Sequence, residues 1–153
     1  MIMKKAILAF LLVSGLTLGV RAQDEKKKEI SSQDVPEEVM KSFNSTFANA
    51  TDVEWKKKNN EYKVSFDMNG IEHHAMFNSS GTVTSQGHEI SESDLPAAVA
   101  TALKKDYPNH RIDEVHTMIK DGDNTYKVSL DGSPDKKVIY SPDGKMIKEK
   151  KKD

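Results

Sequence analysis

The 153-residue chain carries 23 basic and 24 acidic residues and no cysteine, which excludes disulfides, thiolate zinc sites and a lipid-modified bacterial N-terminus. So even a balance, net −1 with histidines uncharged, gives no electrostatic means of binding nucleic acid. The apolar core alone must hold a fold of this length, as one medium domain or two small fused ones.

The chain opens with Lys4 and Lys5, an apolar run from Ala6 to Val20, and small residues at Val20 and Ala22 around Arg21. This is the three-part pattern of a secretory signal over residues 1–22, and its apolar run is shorter than the roughly 20 residues that span a bilayer. Cleavage before Gln23 leaves 131 residues with 20 basic against 24 acidic, a net charge of −4. No later segment is apolar enough to enter a membrane, so a periplasmic or secreted protein is expected, without stable membrane insertion after signal cleavage. Residues 23–32 contain Asp24-Glu25-Lys26-Lys27-Lys28-Glu29 and read as a solvated charged leader.

From residue 33 the pattern is that of a packed domain. Ser32 or Asp34 is the expected N-cap, Pro36 falls near the first helical turn, and Glu37 and Glu38 lie at the positive end of the helix dipole. Val35, Val39, Phe43 and Phe47 recur every four residues and give the helix one apolar stripe. The period then changes to two. Val53 and Trp55 alternate with Glu54 and Lys56, and Tyr62, Val64, Phe66 and Met68 alternate with Lys63, Ser65 and Asp67, as in antiparallel strands with one buried face. Strands are expected over 52–58, 61–68, 71–78 and 82–90, with hairpin turns at Asn59-Asn60, Asn69-Gly70 and Ser80-Gly81. A second helix uses Asp94, Leu95, Pro96, Val99, Leu103 and Tyr107 and stops at Pro108. Strands over 111–120, 125–131, 136–141 and 145–149 follow, and residues 150–153 form a basic tail.

The two halves repeat one another. Asp34-Val35-Pro36 returns as Asp94-Leu95-Pro96 after 60 positions, Tyr62-Lys63-Val64-Ser65-Phe66 as Tyr126-Lys127-Val128-Ser129-Leu130 after 64, and Phe77 to Gly81 as Tyr140 to Gly144 after 63. Three anchors in one order, displaced by amounts that differ only by a loop, indicate a tandem duplication. The expected fold is α+β: two tandem repeats, 33–91 and 92–149, each one helix packed on a four-stranded antiparallel meander. A unit this small buries too little surface to stand alone, so the copies should pack as one body.

With its Val-Pro or Leu-Pro helix entry, its Tyr-Lys-Val-Ser strand and its aromatic-x-x-x-Gly turn, the chain after residue 30 resembles the PepSY-like proteins exported by Bacteroidetes-type bacteria. That family shares the duplicated architecture of the β-lactamase inhibitor protein. The resemblance implies a non-enzymatic binding or inhibitory role in the periplasm and brings no catalytic residues with it. The β-lactamase inhibitor relies on disulfides and an aromatic-rich concave sheet, so inhibition of a β-lactamase is not carried over to this cysteine-free chain.

Chemistry-bearing residues are few. His73 and His74 are adjacent in a strand and point to opposite faces, so they cannot share an ion, although His74 could meet Glu72 or His116. Asp121-Gly122-Asp123-Asn124 and Asp131-Gly132-Ser133-Pro134-Asp135 lack the glutamate that closes a calcium loop and read as turns. No spacing joins a nucleophile to a base, and no phosphate-cradling glycine loop is present. The expectation is a non-enzyme with no cofactor and no metal site. Trp55 alternates inward and belongs to the core.

One surface stands out. If Tyr62, Val64, Phe66 and Phe77 face the helix, His74 and Met76 face away from it, and so do Lys137 and Ile139 at the corresponding positions of the second copy. Among Lys63 and Lys127 these residues form a candidate protein-binding face: an apolar centre with a polar rim. The expected partner is an envelope protein or peptide, and a neutral His74 there would make capture sensitive to pH near 6. The alternative is a small-molecule or ion binding protein with a pocket between the repeats.

Overall fold

Residues 28–151 are described by the computed structural model. The expected signal peptide, residues 23–27 of the leader and residues 152–153 lie outside them. Two helices, α1 (Glu37–Thr46) and α2 (Ala97–Asp106), accompany nine strands. These are β1 (Lys28–Ile30), β2 (Thr51–Lys58), β3 (Glu61–Met68), β4 (Ile71–Asn78) and β5 (Val83–Ile90), then β6 (Arg111–Lys120), β7 (Asp123–Asp131), β8 (Lys136–Tyr140) and β9 (Met146–Lys151). They form a single antiparallel sheet in chain order. Pairing of β5 with β6, Ile90 opposite Val115 and Glu89 opposite His116, joins the two halves through backbone hydrogen bonds.

The alternating pattern decides which face is covered. Val39 and Phe43 of α1 pack on Trp55, Tyr62, Val64, Phe66, Ala75 and Phe77, while Val99 and Leu103 of α2 pack on Val115, Val128, Leu130, Val138 and Tyr140. Because Ile90 and Val115 are register partners that join this same packing, both helices lie on one face. The other face has no helix over it among the described residues. Trp55, 4% exposed, meets Phe43 edge-on at 5.2 Å between ring centres, in keeping with its expected place in the core.

Several local features differ from the sequence reading. The end of the charged leader is not solvated coil: Lys28–Ile30 pairs with β2, with Ile30 opposite Trp55, because Ile30 finds apolar neighbours at the sheet edge. Neither Ser32 nor Asp34 caps α1. Ser31 caps a short 3-10 turn over Ser32–Asp34, and Pro36 precedes the helix without a side-chain cap. Val53, expected inward, is exposed: it falls in a bulge of β2 between Thr51 and Glu54, with Asp52 at φ 51°, and lines an open groove beside α1 instead of the core. At the other end, β9 runs to Lys151 and takes the first residues of the expected tail.

The aromatic-x-x-x-Gly turns have a specific job. Gly81 and Gly144 hold φ of 84° and 81°, and a Cβ there would fall 2.6 Å from the Glu38 carbonyl oxygen and 2.5 Å from that of Ala98. Each glycine therefore supplies both the left-handed backbone and the room for a β-turn to press on the first turn of a helix.

Candidate functional site

Strand alternation places alternate residues of β2 to β9 on the face without a helix. Lys63 lies opposite Met76, Ser65 opposite His74, Lys127 opposite Ile139 and Ser129 opposite Lys137. All six residues expected on the recognition face, His74, Met76, Lys63, Lys127, Lys137 and Ile139, therefore share it. They do not form one apolar centre. Met76 sits on β4 and Ile139 on β8, about 19 Å apart at ~4.8 Å per strand.

The region between them holds residues that the sequence reading passed over. Gly87 on β5 lies opposite His74, and a Cβ there would meet the Thr117 carbonyl oxygen at 1.9 Å and His74 Nε2 at 2.8 Å. The missing side chain opens a slot for the imidazole, which rests edge-on against His116 with ring centres 5.4 Å apart. Met118, half-buried, follows His116 by two residues on the same face. A period-two reading continued past His116 would have found it; only the glycine slot needed the three-dimensional register.

The centre of this face is closed. His74 is 5% exposed and His116 3%, so His74 is a buried residue and not a contact surface. His116 Nε2 lies 3.0 Å from Glu114 Oε1, and Ser129 Oγ donates to Glu114 Oε2 at 3.5 Å. Burial, reinforced by Lys127, His116 and Lys63, lowers His74 to about 3. A neutral His74 at pH 6 follows, which removes the expected titration of binding at that pH. Burial alone would raise the Glu114 carboxyl, but His116, Lys127 and Lys137 together bring it below its ordinary value.

His74 Nε2 and His116 Nδ1 have no hydrogen-bond partner among the described residues. Among the described residues no group of three or more His, Cys, Asp or Glu is arranged to hold a metal ion. His73 points to the helix side, as adjacency requires, and stacks on Phe66 at 5.6 Å and His88 at 5.4 Å. The Asp-rich segments are turns: Asp121 and Gly122 hold φ of 53° and 85°, and Asp135 Oδ1 accepts from the Gly132 N–H at 2.9 Å.

On the helix side, grooves of about 500 and 400 Å³ occupy matching places in the two halves, beside the C-terminal end of each helix. Ile30, Met40, Phe43, Phe47 and Trp55 line the first, and Leu103, Tyr107, His110 and Ile112 the second. A third groove of about 370 Å³ lies between the β3–β4 turn and the segment leading into α2.

A family model described as "Putative beta-lactamase-inhibitor-like, PepSY-like" matches the chain twice, over residues 21–84 and 60–148. No curated protein matches the sequence. Among solved structures, one titled "putative periplasmic proteins" from Bacteroides eggerthii superposes with a TM-score of 0.70 at 15% identity, covering 76% of this chain and 88% of that one. A DUF2874 family protein from Bacteroides ovatus gives 0.65 at 21% identity, with 76% and 86% covered. A BLIP-like protein from Bacteroides fragilis gives 0.60 at 21% identity, with 74% and 83% covered. At these identities the likeness is one of fold.

Proposed function

The chain belongs to the PepSY-like, beta-lactamase-inhibitor-like family, and from this premise we propose that it is a non-enzymatic binding module that recognises or inhibits another protein or peptide of the cell envelope. The observation that carries this reading is the helix-free face of the sheet. Met76 and Ile139 stand on it half-buried, each beside a lysine from the neighbouring strand. Partly buried apolar groups among long polar side chains lose water readily when a partner covers them.

The setting is periplasmic or secreted. The basic, apolar and small-residue pattern of residues 1–22 and the "putative periplasmic proteins" title of one similar structure support it. No helix among the described residues is long and apolar enough to cross a membrane. Intact mass of the exported protein should start at Gln23.

The test of recognition is the double variant Met76→Glu/Ile139→Glu, compared with wild type by pull-down from an envelope extract after equal thermal midpoints are verified. A charge at an interface must be desolvated without a mate, so the variant should recover no partner. Equal recovery by the two proteins would remove this face from the binding site.

A further inference from the structure

The helix-free face is divided by charge along the β5–β6 seam. On the first half, β1 to β5, register places six carboxylates on it: Glu29, Glu54, Glu61, Asp67, Glu72 and Glu89. Only Lys56, Lys58 and Lys63 oppose them. On the second half, β6 to β9, six cations share the face: Arg111, Lys120, Lys127, Lys137, Lys148 and Lys150. Their acidic neighbours are Glu114, Asp123 and Asp131. The two halves of one surface thus carry net charges of −3 and +3. The ion pairs Lys56–Glu29 and Arg111–Asp131 each stay within one half and leave this polarity unchanged.

Such a face is complementary to itself. We infer that a second copy of this chain docks on it face to face, about a two-fold axis lying in the interface along the β5–β6 seam. That axis sets the first half of one copy over the second half of the other. An in-plane axis across the strands would stack like on like and is opposed by charge. Residues close to a two-fold meet their own copies, so the middle of the seam must be uncharged. It is formed by Gly87 and Met118, with the pair Ser85–Lys120 on one side and Glu89–His116 on the other; the axis lays β5 of one copy over β6 of the other, so Lys120 faces Ser85 and Glu89 faces His116 rather than a like charge.

The area suffices. Nine strands, ~4.8 Å apart and ~20 Å long, present about 800 Å², the contribution of one partner to a standard-sized interface. The inference goes beyond the recognition reading, because a dimer of this kind covers Met76 and Ile139. An envelope partner would then have to displace the second copy.

Sedimentation at about 200 µM protein, in about 20 mM and about 500 mM salt, tests it. Wild type should be dimeric at low salt, with a dissociation constant raised at least about tenfold at high salt. Lys137→Glu/Lys148→Glu/Lys150→Glu makes both halves acidic, and Glu54→Lys/Glu72→Lys/Glu89→Lys makes both basic; all six positions are exposed. Each variant alone should be monomeric, and an equimolar mixture should form a heterodimer, which unfolded chains would not do. A monomeric wild type, a dimer insensitive to salt, or a dimer that survives either triple substitution would overturn the inference. A monomeric wild type would leave the Met76 and Ile139 pull-down to be judged on its own result.

Discussion

The two halves of the sheet build similar backbones around different cores. Phe43, Trp55, Phe66 and Phe77 fill the first, and Phe43 lies within 5.2 Å of both Trp55 and Phe66 between ring centres. In the second half the matching positions are Leu103, Val115, Leu130 and Tyr140. Aromatic mass is replaced there by aliphatic groups and anchored hydroxyls: Tyr140 Oη donates to Asp106 Oδ2 at 3.0 Å, and Tyr107 Oη donates to Glu149. Burial and these carboxylates raise both phenols above their ordinary value. The comparison teaches that strand register and the glycine turns define the unit, while its filling is free to vary so long as volume is met.

The largest contrast should come from the first strand after each helix. Trp55→Ala should cost about 3–5 kcal/mol through lost burial and a residual cavity, whereas Val115→Ala should cost about 1.5–2 kcal/mol at ~0.8 kcal/mol per buried methyl-sized group. Urea midpoints measure both. Equal losses would mean that the aromatic core carries no extra weight. Since β5 and β6 share a ladder, each variant should shift one common transition; two separated transitions would show halves that unfold independently.

The glycine turns should behave alike in the two halves. Gly81→Ala and Gly144→Ala should each cost about 1–3 kcal/mol for the strained backbone, with the helix contact adding to it. Gly70→Ala and Gly122→Ala, whose φ is also positive but whose added Cβ meets nothing within 4 Å, should lose only about 1–2 kcal/mol. Thermal midpoints of the four variants, placed in one series, sharpen the distinction between turn conformation and turn packing.

A smaller, condition-dependent difference separates His74 from its counterpart Lys137. In the folded protein His74 is lowered from 6.5 to about 3, so between those pH values the unfolded chain binds a proton that the folded chain does not. Its contribution to stability is intact above pH 6.5 and is lost as pH falls toward 3. His74→Phe should flatten the fall of the urea midpoint from about pH 6.5 to about pH 4, by at most one proton's slope. Lys137→Met should leave that slope unchanged above about pH 5.5, where the Glu114 carboxyl that Lys137 helps to lower is ionised in both states. A wild-type slope identical to that of His74→Phe would show that His74 is protonated in the fold.

Much of this architecture was legible because its periodicities are strong. Tyr62, Val64 and Phe66 fall on the covered face and Lys63 and Ser65 on the other, as a period of two requires. The failures arise where a local rule yields to a neighbour. Val53 follows the alternation in sequence, but the left-handed Asp52 inserts a bulge. β1 was hidden by charge, although Ile30-Ser31 recurs as Ile90-Ser91, at the same distance before Asp-x-Pro; the repeat began earlier than its charged residues suggested. The direction of His74 follows from alternation, but its burial depends on Gly87 one strand away and on the β5–β6 pairing, neither of which is visible in the strand that carries it.

The short strand β1 has one more consequence. Ile30 stands to Trp55 as Ile90 stands to Val115, so each helix is entered from a strand that also borders the unit it begins, and β5 closes one unit while opening the next. A sheet assembled in this way grows by sharing a border, as courses of overlapping tiles do. Inserting a further copy of residues 31–90 after Ile90 should therefore lengthen the sheet without a new kind of joint. Growth at the outer margin is discouraged by β9, where Lys148, Lys150 and Lys151 would set like charges against any strand that tried to continue the pattern.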